Sequence, residues 1–221
     1  MSKTVVITGA NRGIGLSFTK LYLQRGYTVY AACRSASPEL EGSGARIVDG
    51  VDVGTDEGLK TLVKALDGVT IDLLINNAGI LRDERLGQLD IKTIREQFEV
   101  NALAPLRVTE ALMAQLSDDA KIGLITSRMG SIADNTSGGR YGYRMSKAAL
   151  NAAGRSLACD LKDRGIAVAI LHPGLVGTEM IGGHGDITPD EAAERLVARI
   201  DELNLGNSGT FWHSNGQQLP W

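Results

Sequence analysis

Two stretches of the sequence hold residues whose types and spacing could do chemistry. In YGYRMSKAAL, from Tyr141 to Leu150, Tyr143 stands four positions before Lys147. Positions i and i+4 share one face of a helix, so the phenol and the ammonium point the same way. They are either a proton donor with a cation beside it or two unrelated side chains, and the pair alone leaves both open. Near the N-terminus, Thr8-Gly9-Ala10-Asn11-Arg12-Gly13-Ile14-Gly15 places three glycines between an apolar run and a helical pattern. A chain that must turn tightly while its backbone approaches a pyrophosphate needs glycine there. Bare N–H groups at the helix N-terminus then favour the negative charge. Glycines also mark plain strand-to-helix turns, so the place of this stretch in the fold decides between the two.

A binder of NAD usually carries Asp or Glu near the end of its second strand, to hold the ribose 2′-hydroxyl. Here that run ends Ala31-Ala32-Cys33-Arg34, with an arginine and no carboxylate. Arg12, in the glycine turn, could reach the same region. Two guanidinium groups suit a 2′-phosphate, because each makes forked, charge-assisted contacts, worth about 1.5–3 kcal/mol apiece. The expected cofactor is therefore NADP(H), preferred over NAD(H). The alternative is that both arginines are solvated surface charges.

Residues of this kind work only if regular elements hold them in place. β-Branched runs at Val5–Ile7, Thr28–Ala31, Ala45–Val48, Ile71–Ile75, Lys121–Thr126, Ile166–Leu171 and Thr210–His213 predict strands. Helical spacing covers Ile14–Leu23, closed by Gly26, and Asp56–Leu66. It also covers Ile91–Phe98 and Leu106–Leu116, with Asn101 and Pro105 marking a break between them, and Tyr143–Asp163. A last helix, Pro189–Leu203, has Thr188 as N-cap and proline at its first position. Strand and helix alternate along the whole chain. That predicts an α/β fold: one doubly wound parallel sheet of about seven strands with helices on both faces. No linker or repeat interrupts the pattern, so residues 1–221 are expected to form a single Rossmann-type domain that contains the catalytic site.

Composition excludes several classes. With 23 basic and 26 acidic residues and a net charge of −3, the chain has no basic surplus for nucleic acid. No apolar run reaches membrane-spanning length, and the N-terminal MSKTVVITGA lacks the apolar core of a signal peptide. Two cysteines, Cys33 and Cys159, form no disulfide framework. A reducing, cytoplasmic location is expected. The three histidines, His172, His184 and His213, show no metal-ligand spacing; one is read as a packed or turn residue and two as surface residues. Trp212 and Trp221 are read as packing or subunit contacts.

Taken together, the motifs resemble those of the short-chain dehydrogenases/reductases of the classical subfamily, over almost the entire chain. Thr8 to Gly15 fits TGxxxGxG, and Asn76-Asn77-Ala78-Gly79 fits NNAG. Asn101, Ser127 and Tyr143-x-x-x-Lys147 match the family's asparagine, serine and YxxxK. His172-Pro173-Gly174-Leu175-Val176-Gly177-Thr178 matches its PG segment, and Asp52-Val53 its pair beside the adenine. Thr126 to Ile132, Asn135 to Gly139 and the ending Gly209 to Trp221 are closest to the C-factor and sniffer carbonyl-reductase group.

The resemblance implies an NADPH-dependent carbonyl reductase acting on small aldehydes or ketones. Asn101, Ser127, Tyr143 and Lys147 would be its catalytic residues. Gly9, Asn11, Arg12, Gly13, Ile14, Gly15, Arg34, Asp52, Val53, Asn77, Ala78, Gly79, Tyr143, Lys147, Pro173, Gly174, Val176 and Thr178 would bind the cofactor. Tyr143 would act as general acid in reduction. Its usual pKa is near 10, and lowering it by about three units requires about 4 kcal/mol; Lys147 on the same face is expected to supply this by favouring the phenolate. The family's lysine also bonds the nicotinamide ribose, and its asparagine holds a water leading to the lysine. Ser127 would hold the substrate carbonyl.

Ser127 lies 16 positions before Tyr143, a longer interval than most relatives show, and Ser131, at 12, competes with it. Ser127 is preferred because it closes an apolar strand, which leaves Asn135 to Arg140 as a loop beside the site. The segment Glu179 to Ile187 is short and glycine-rich, so an open, mobile pocket is expected. The resemblance also implies a homo-oligomer, dimer or tetramer, associating through Leu106–Leu116 and Tyr143–Asp163. Two other readings stand beside the reductase: a nucleotide-binding regulatory protein of C-factor type, and an NAD-linked alcohol dehydrogenase.

Overall fold

The structure, a computed structural model, describes residues 2–221. Its seven strands are β1 (Thr4–Thr8), β2 (Thr28–Ala32), β3 (Arg46–Val48), β4 (Ile71–Asn76), β5 (Leu116–Ile125), β6 (Ala167–His172) and β7 (Phe211–His213). They form one sheet in the order β3-β2-β1-β4-β5-β6-β7, and every neighbouring pair is parallel. The helices are α1 (Gly13–Gln24), α2 (Pro38–Glu41), α3 (Asp56–Ala65), α4 (Ile91–Phe98), α5 (Ala104–Ala111), α6 (Tyr141–Asp160) and α7 (Pro189–Glu202).

Alternate residues of a strand face opposite sides of the sheet, and each side is covered separately. Val6, Leu74, Ile122, Val168 and Ile170 pack with Leu62, Val108, Leu112, Leu150 and Leu157, under α3, α5 and α6. Val5, Ile7, Ile75, Ala169 and Leu171 pack with Phe18, Tyr22, Leu196 and Ile200, under α1 and α7. Strands buried on both faces read as continuous apolar runs, which is why β1, β4 and β6 stand out in the sequence. Thr188 caps α7 as expected, accepting from Glu191 N at 3.2 Å.

Some boundaries differ from expectation. Asn101 and Pro105 do not break the chain between two helices. A π turn over Glu99–Leu103 joins α4 to α5 without interruption, and Pro105 lacks the N–H that a regular α-helical ladder would use at that point. The expected helix Leu106–Leu116 stops at Ala111, and Leu116 already belongs to β5. The long helix ends at Asp160, followed by a 3₁₀ turn over Lys162–Arg164. His213 is half-buried rather than fully exposed, its ring meeting that of His172 edge-on at 4.8 Å, while His184 is exposed. Trp221 stacks on Phe211, ring centroids 5.6 Å apart. No described helix is long and apolar enough to cross a membrane.

The strand order reverses direction at β1 and β4, which lie side by side. Open sheets of this kind bind ligands in the crevice beyond the carboxyl ends of such strands. Those ends carry the glycine turn and Asn76-Asn77-Ala78-Gly79.

Candidate active site

A cleft of about 470 Å³ opens at this point. One wall is the glycine turn. Gly9 adopts φ 67°, and a Cβ there would lie 2.9 Å from Ala78 Cα, so only glycine lets the two strand ends meet. The ends are tied together. Thr8 Oγ1 accepts from Asn77 N at 3.1 Å and Ala78 N at 3.2 Å, and Asn77 Nδ2 donates to the carbonyls of Thr8 and Gly9, both at 3.1 Å. Asn77 therefore braces the glycine-turn end of the cleft with its side chain.

Gly9, Asn11, Arg12, Gly13, Ile14, Arg34, Asp52, Val53, Asn77, Ala78, Gly79, Tyr143, Lys147, Pro173 and Thr178 line the cleft. Gly15, Asn101, Ser127, Gly174 and Val176 do not line it. Asp52 turns its carboxylate onto Gly54 N at 3.0 Å. Arg34 is exposed and free to reach a ligand. Arg12 takes another direction from the expected one: its guanidinium crosses the cleft and pairs with Glu179. The segment carrying Glu179 is clasped back on itself, with Gly177 N bonded to Ile187 O at 3.0 Å and Asp186 N to Leu175 O at 2.8 Å.

The other end of the cleft is built on α6. Lys147 is 4 % exposed, and its Nζ donates to Ile125 O at 2.9 Å. Burial pushes its pKa down to about 8. An ammonium in so dry a place, with one protein acceptor, has donors left for a ligand. Its Nζ lies 5.8 Å from the centre of the Tyr143 ring.

The phenol does not behave as the sequence reading expected. Burial raises the Tyr143 pKa above its usual value, and the two opposing influences are the Ser127 hydroxyl and the Arg140 guanidinium. Lys147, itself depressed by burial, is not among the groups that lower it. Ser127 caps the short 3₁₀ turn Arg128–Gly130, accepting from Met129 N at 3.1 Å, and lies beside Tyr143. Ser131 is buried away in a turn, accepting from Asp134 N at 3.1 Å. Ser127→Ala is therefore expected to lower kcat by about ten- to a hundredfold, and Ser131→Ala by less than about threefold beyond any change in folded fraction. Steady-state kinetics with unfolding curves for both variants checks this, and the reverse ranking would make Ser131 the substrate-holding serine.

Asn101 sits in the π turn, fully buried. Its Nδ2 donates to Ile80 O at 2.8 Å and Ser146 Oγ at 3.0 Å, and its Oδ1 accepts from Ile80 N at 2.8 Å. It clamps the segment after Gly79 against the helix that carries Lys147. Glu84, which the sequence reading passed over, is 2 % exposed and accepts from Gly142 N at 3.1 Å. It thereby caps α6, which has no cap of its own. Among the described residues, no group of three potential ligands could hold a metal ion.

The short-chain dehydrogenase family model matches residues 3–187. The chain belongs to that family. This short-chain dehydrogenase is 42 % identical, over 99 % of both chains, to 1-hydroxy-2-glutathionyl-2-methyl-3-butene dehydrogenase of Rhodococcus sp. (strain AD45). It is 44 % identical to the C-signal of Myxococcus xanthus over 68 % of its own length and 93 % of that protein. The structure of an NADPH-bound carbonyl reductase from chicken fatty liver superimposes with a TM-score of 0.90 at 31 % identity, covering 100 % of this chain and 99 % of that one. The dehydrogenase is thus close to the carbonyl-reductase group, and a nicotinamide cofactor fits its cleft: a close-approach glycine turn at one end and an under-satisfied buried ammonium at the other.

Proposed function

We propose that the protein reduces the carbonyl group of small aldehydes or ketones to alcohols, with NADPH preferred over NADH. The observation that carries this reading is a cleft with Tyr143 and the buried Lys147 at one end, Ser127 beside the phenol, and Arg34 in place of a carboxylate at the other end. A bound nicotinamide supplies the hydride. The Ser127 hydroxyl donates a hydrogen bond to the substrate oxygen and holds it in line. The Tyr143 hydroxyl donates its proton to that oxygen as negative charge develops there. Lys147 donates to the cofactor ribose and raises the positive potential behind the phenol. Asn101 keeps the Ile80 backbone in register with α6. Backbone groups near Val176, with the Thr178 hydroxyl, hold the carboxamide end. Self-association through α5 and α6 belongs to the same reading and is supported by exposed Leu106 at 39 % and Met145 at 49 %.

The same residues run in reverse oxidise an alcohol, and the identity to the Rhodococcus dehydrogenase favours this as a second reading. A hydroxylated glutathionyl compound is then a candidate substrate. Oxidation of NADPH and NADH against a panel of aldehydes, ketones and diketones, with the corresponding alcohols in the reverse direction, tests both. Turnover with neither carbonyls nor alcohols would remove the enzymatic reading. Arg34→Ala is expected to raise KM for NADPH by about ten- to a hundredfold, the loss of one charge-assisted contact, and to leave KM for NADH nearly unchanged. An unaltered preference would remove Arg34 from the 2′-phosphate site.

A further inference from the structure

Beside the Tyr143 end of the cleft lies charge that the proposed reaction does not use. Arg140 lies immediately before α6 in the left-handed region, φ 51° and ψ 46°, a conformation that costs a non-glycine residue on the order of 1 kcal/mol. Gly138 and Gly139 before it also have positive φ, so the third such position in a row holds a long cation where glycine would be unstrained. Its guanidinium reaches over Met129, Nη1 3.9 Å from the sulfur, two residues past Ser127. Its acidic neighbour is Asp83, 3.4 Å from Nε, which Arg85 shares at 3.7 Å. Arg82 lines the cleft itself, as does Glu96, and among the described residues its guanidinium bonds only to the Leu81 carbonyl, at 3.1 Å.

One buried network holds both arginines from below. The Glu84 carbonyl accepts from Arg140 N at 2.8 Å. Its carboxylate accepts from Gly142 N, from Thr93 Oγ1 at 2.9 Å and from Gln97 Nε2. Gln97 Oε1 in turn accepts from Arg82 N at 2.9 Å. Gly142 has no room for a side chain: a Cβ would lie 3.0 Å from Glu84 Oε1 and closer still to Gln97 Nε2. The backbones of Arg82 and Arg140 are thus fixed to each other and to the first turn of α6, one residue from Tyr143. The Arg140 side chain is 43 % exposed and Arg82 is exposed, so both cations reach solvent from backbones that this network fixes. Cations held in fixed positions beside reacting groups suit an anion that must be placed relative to them.

We propose that Arg140, together with Arg82, receives a carboxylate or comparable anionic group on the substrate, so that acidic aldehydes or ketones are preferred to neutral ones. The proposal rests on the reductase reading, and its test separates the two. The probes are 4-carboxybenzaldehyde and methyl 4-formylbenzoate, which differ in charge at one end. The readout is the ratio of their kcat/KM values, in which any shared effect on Tyr143 cancels. The wild-type protein is expected to favour the carboxylate, and the double variant Arg82→Gln/Arg140→Gln to lower the ratio by roughly ten- to a hundredfold. Arg140→Lys should restore part of it, and the single variant Arg140→Gln should leave the dissociation constant for NADPH, read from its fluorescence, unchanged.

Equal losses with both aldehydes, no loss with either, or a loss confined to NADPH binding would each overturn the proposal. If the wild-type protein reduces neither aldehyde, the reductase reading is the one in difficulty. Calorimetric binding of terephthalate to the NADP⁺-loaded protein then still reads the arginines: binding that the double variant loses supports the anion site, and no binding to the wild type overturns it.

Discussion

Replacing Tyr143 by phenylalanine is expected to lower kcat for carbonyl reduction by about a thousandfold or more, within the span a single positioned proton donor supplies. The ring stays in place, so the contact with Lys147 survives, and the dissociation constant for NADPH should move by less than about threefold. Burial holds the phenol above its usual pKa, against the pull of Ser127 and Arg140. Tyr143 therefore keeps its proton throughout the neutral range, and on the proposed reading reduction should decline only on the alkaline side, as the phenol ionises. Removing Arg140 takes away one opposing influence and shifts that decline to higher pH. Substantial turnover by Tyr143→Phe, measured in parallel with cofactor binding, would assign proton delivery to another group.

Lys147→Met is expected to show two effects of opposite sign. Activity should fall by at least about a hundredfold, because the proposed contact between the ammonium and the cofactor ribose is lost. Stability should respond differently. Burial holds the lysine at about 8, against 10.5 for the free side chain. Between these values the unfolded chain binds more protons than the folded one, so wild-type stability contributed by this group rises as pH increases from about 8 to 10.5. The full rise is on the order of 3 kcal/mol. The methionine variant lacks it, so its stability relative to wild type should be highest near pH 7 and should diminish by pH 10. Denaturant unfolding at both values checks this, and a difference independent of pH would mean that the lysine is not held in its depressed state by burial.

The parts of the site that could be read in the sequence are those where one residue type is forced. A glycine that must approach Ala78, or a tyrosine one helical turn from a lysine, leaves a mark at fixed spacing. The apolar runs of β1, β4 and β6 are legible for a related reason: both faces are buried, so no polar residue interrupts them. The missed features lack such a mark. The segment before β5 has leucines that suit a helix or a strand equally, so its boundary fell several residues late. The single turn α2 is too short to show a period. A π turn has no distinctive composition, and Asn101 and Pro105 were read as a break when they mark a widened turn in continuous helix. Glu84 and Arg140 are charged residues, and charged residues are ordinarily solvated. Only the fold reveals that one is sealed beneath the other. The direction of the Arg12 side chain is likewise invisible to spacing.

That direction bears on the timing of cofactor exchange. Both partners of the Arg12–Glu179 bridge are mostly in solvent, 59 % and 73 % exposed, and an exposed pair of this kind adds no more than about 1 kcal/mol. A bar of that strength spends a sizeable share of its time unlatched at ambient temperature. A dinucleotide arriving at the cleft therefore meets a threshold it can cross without waiting for a rare rearrangement, and added salt lowers that threshold further.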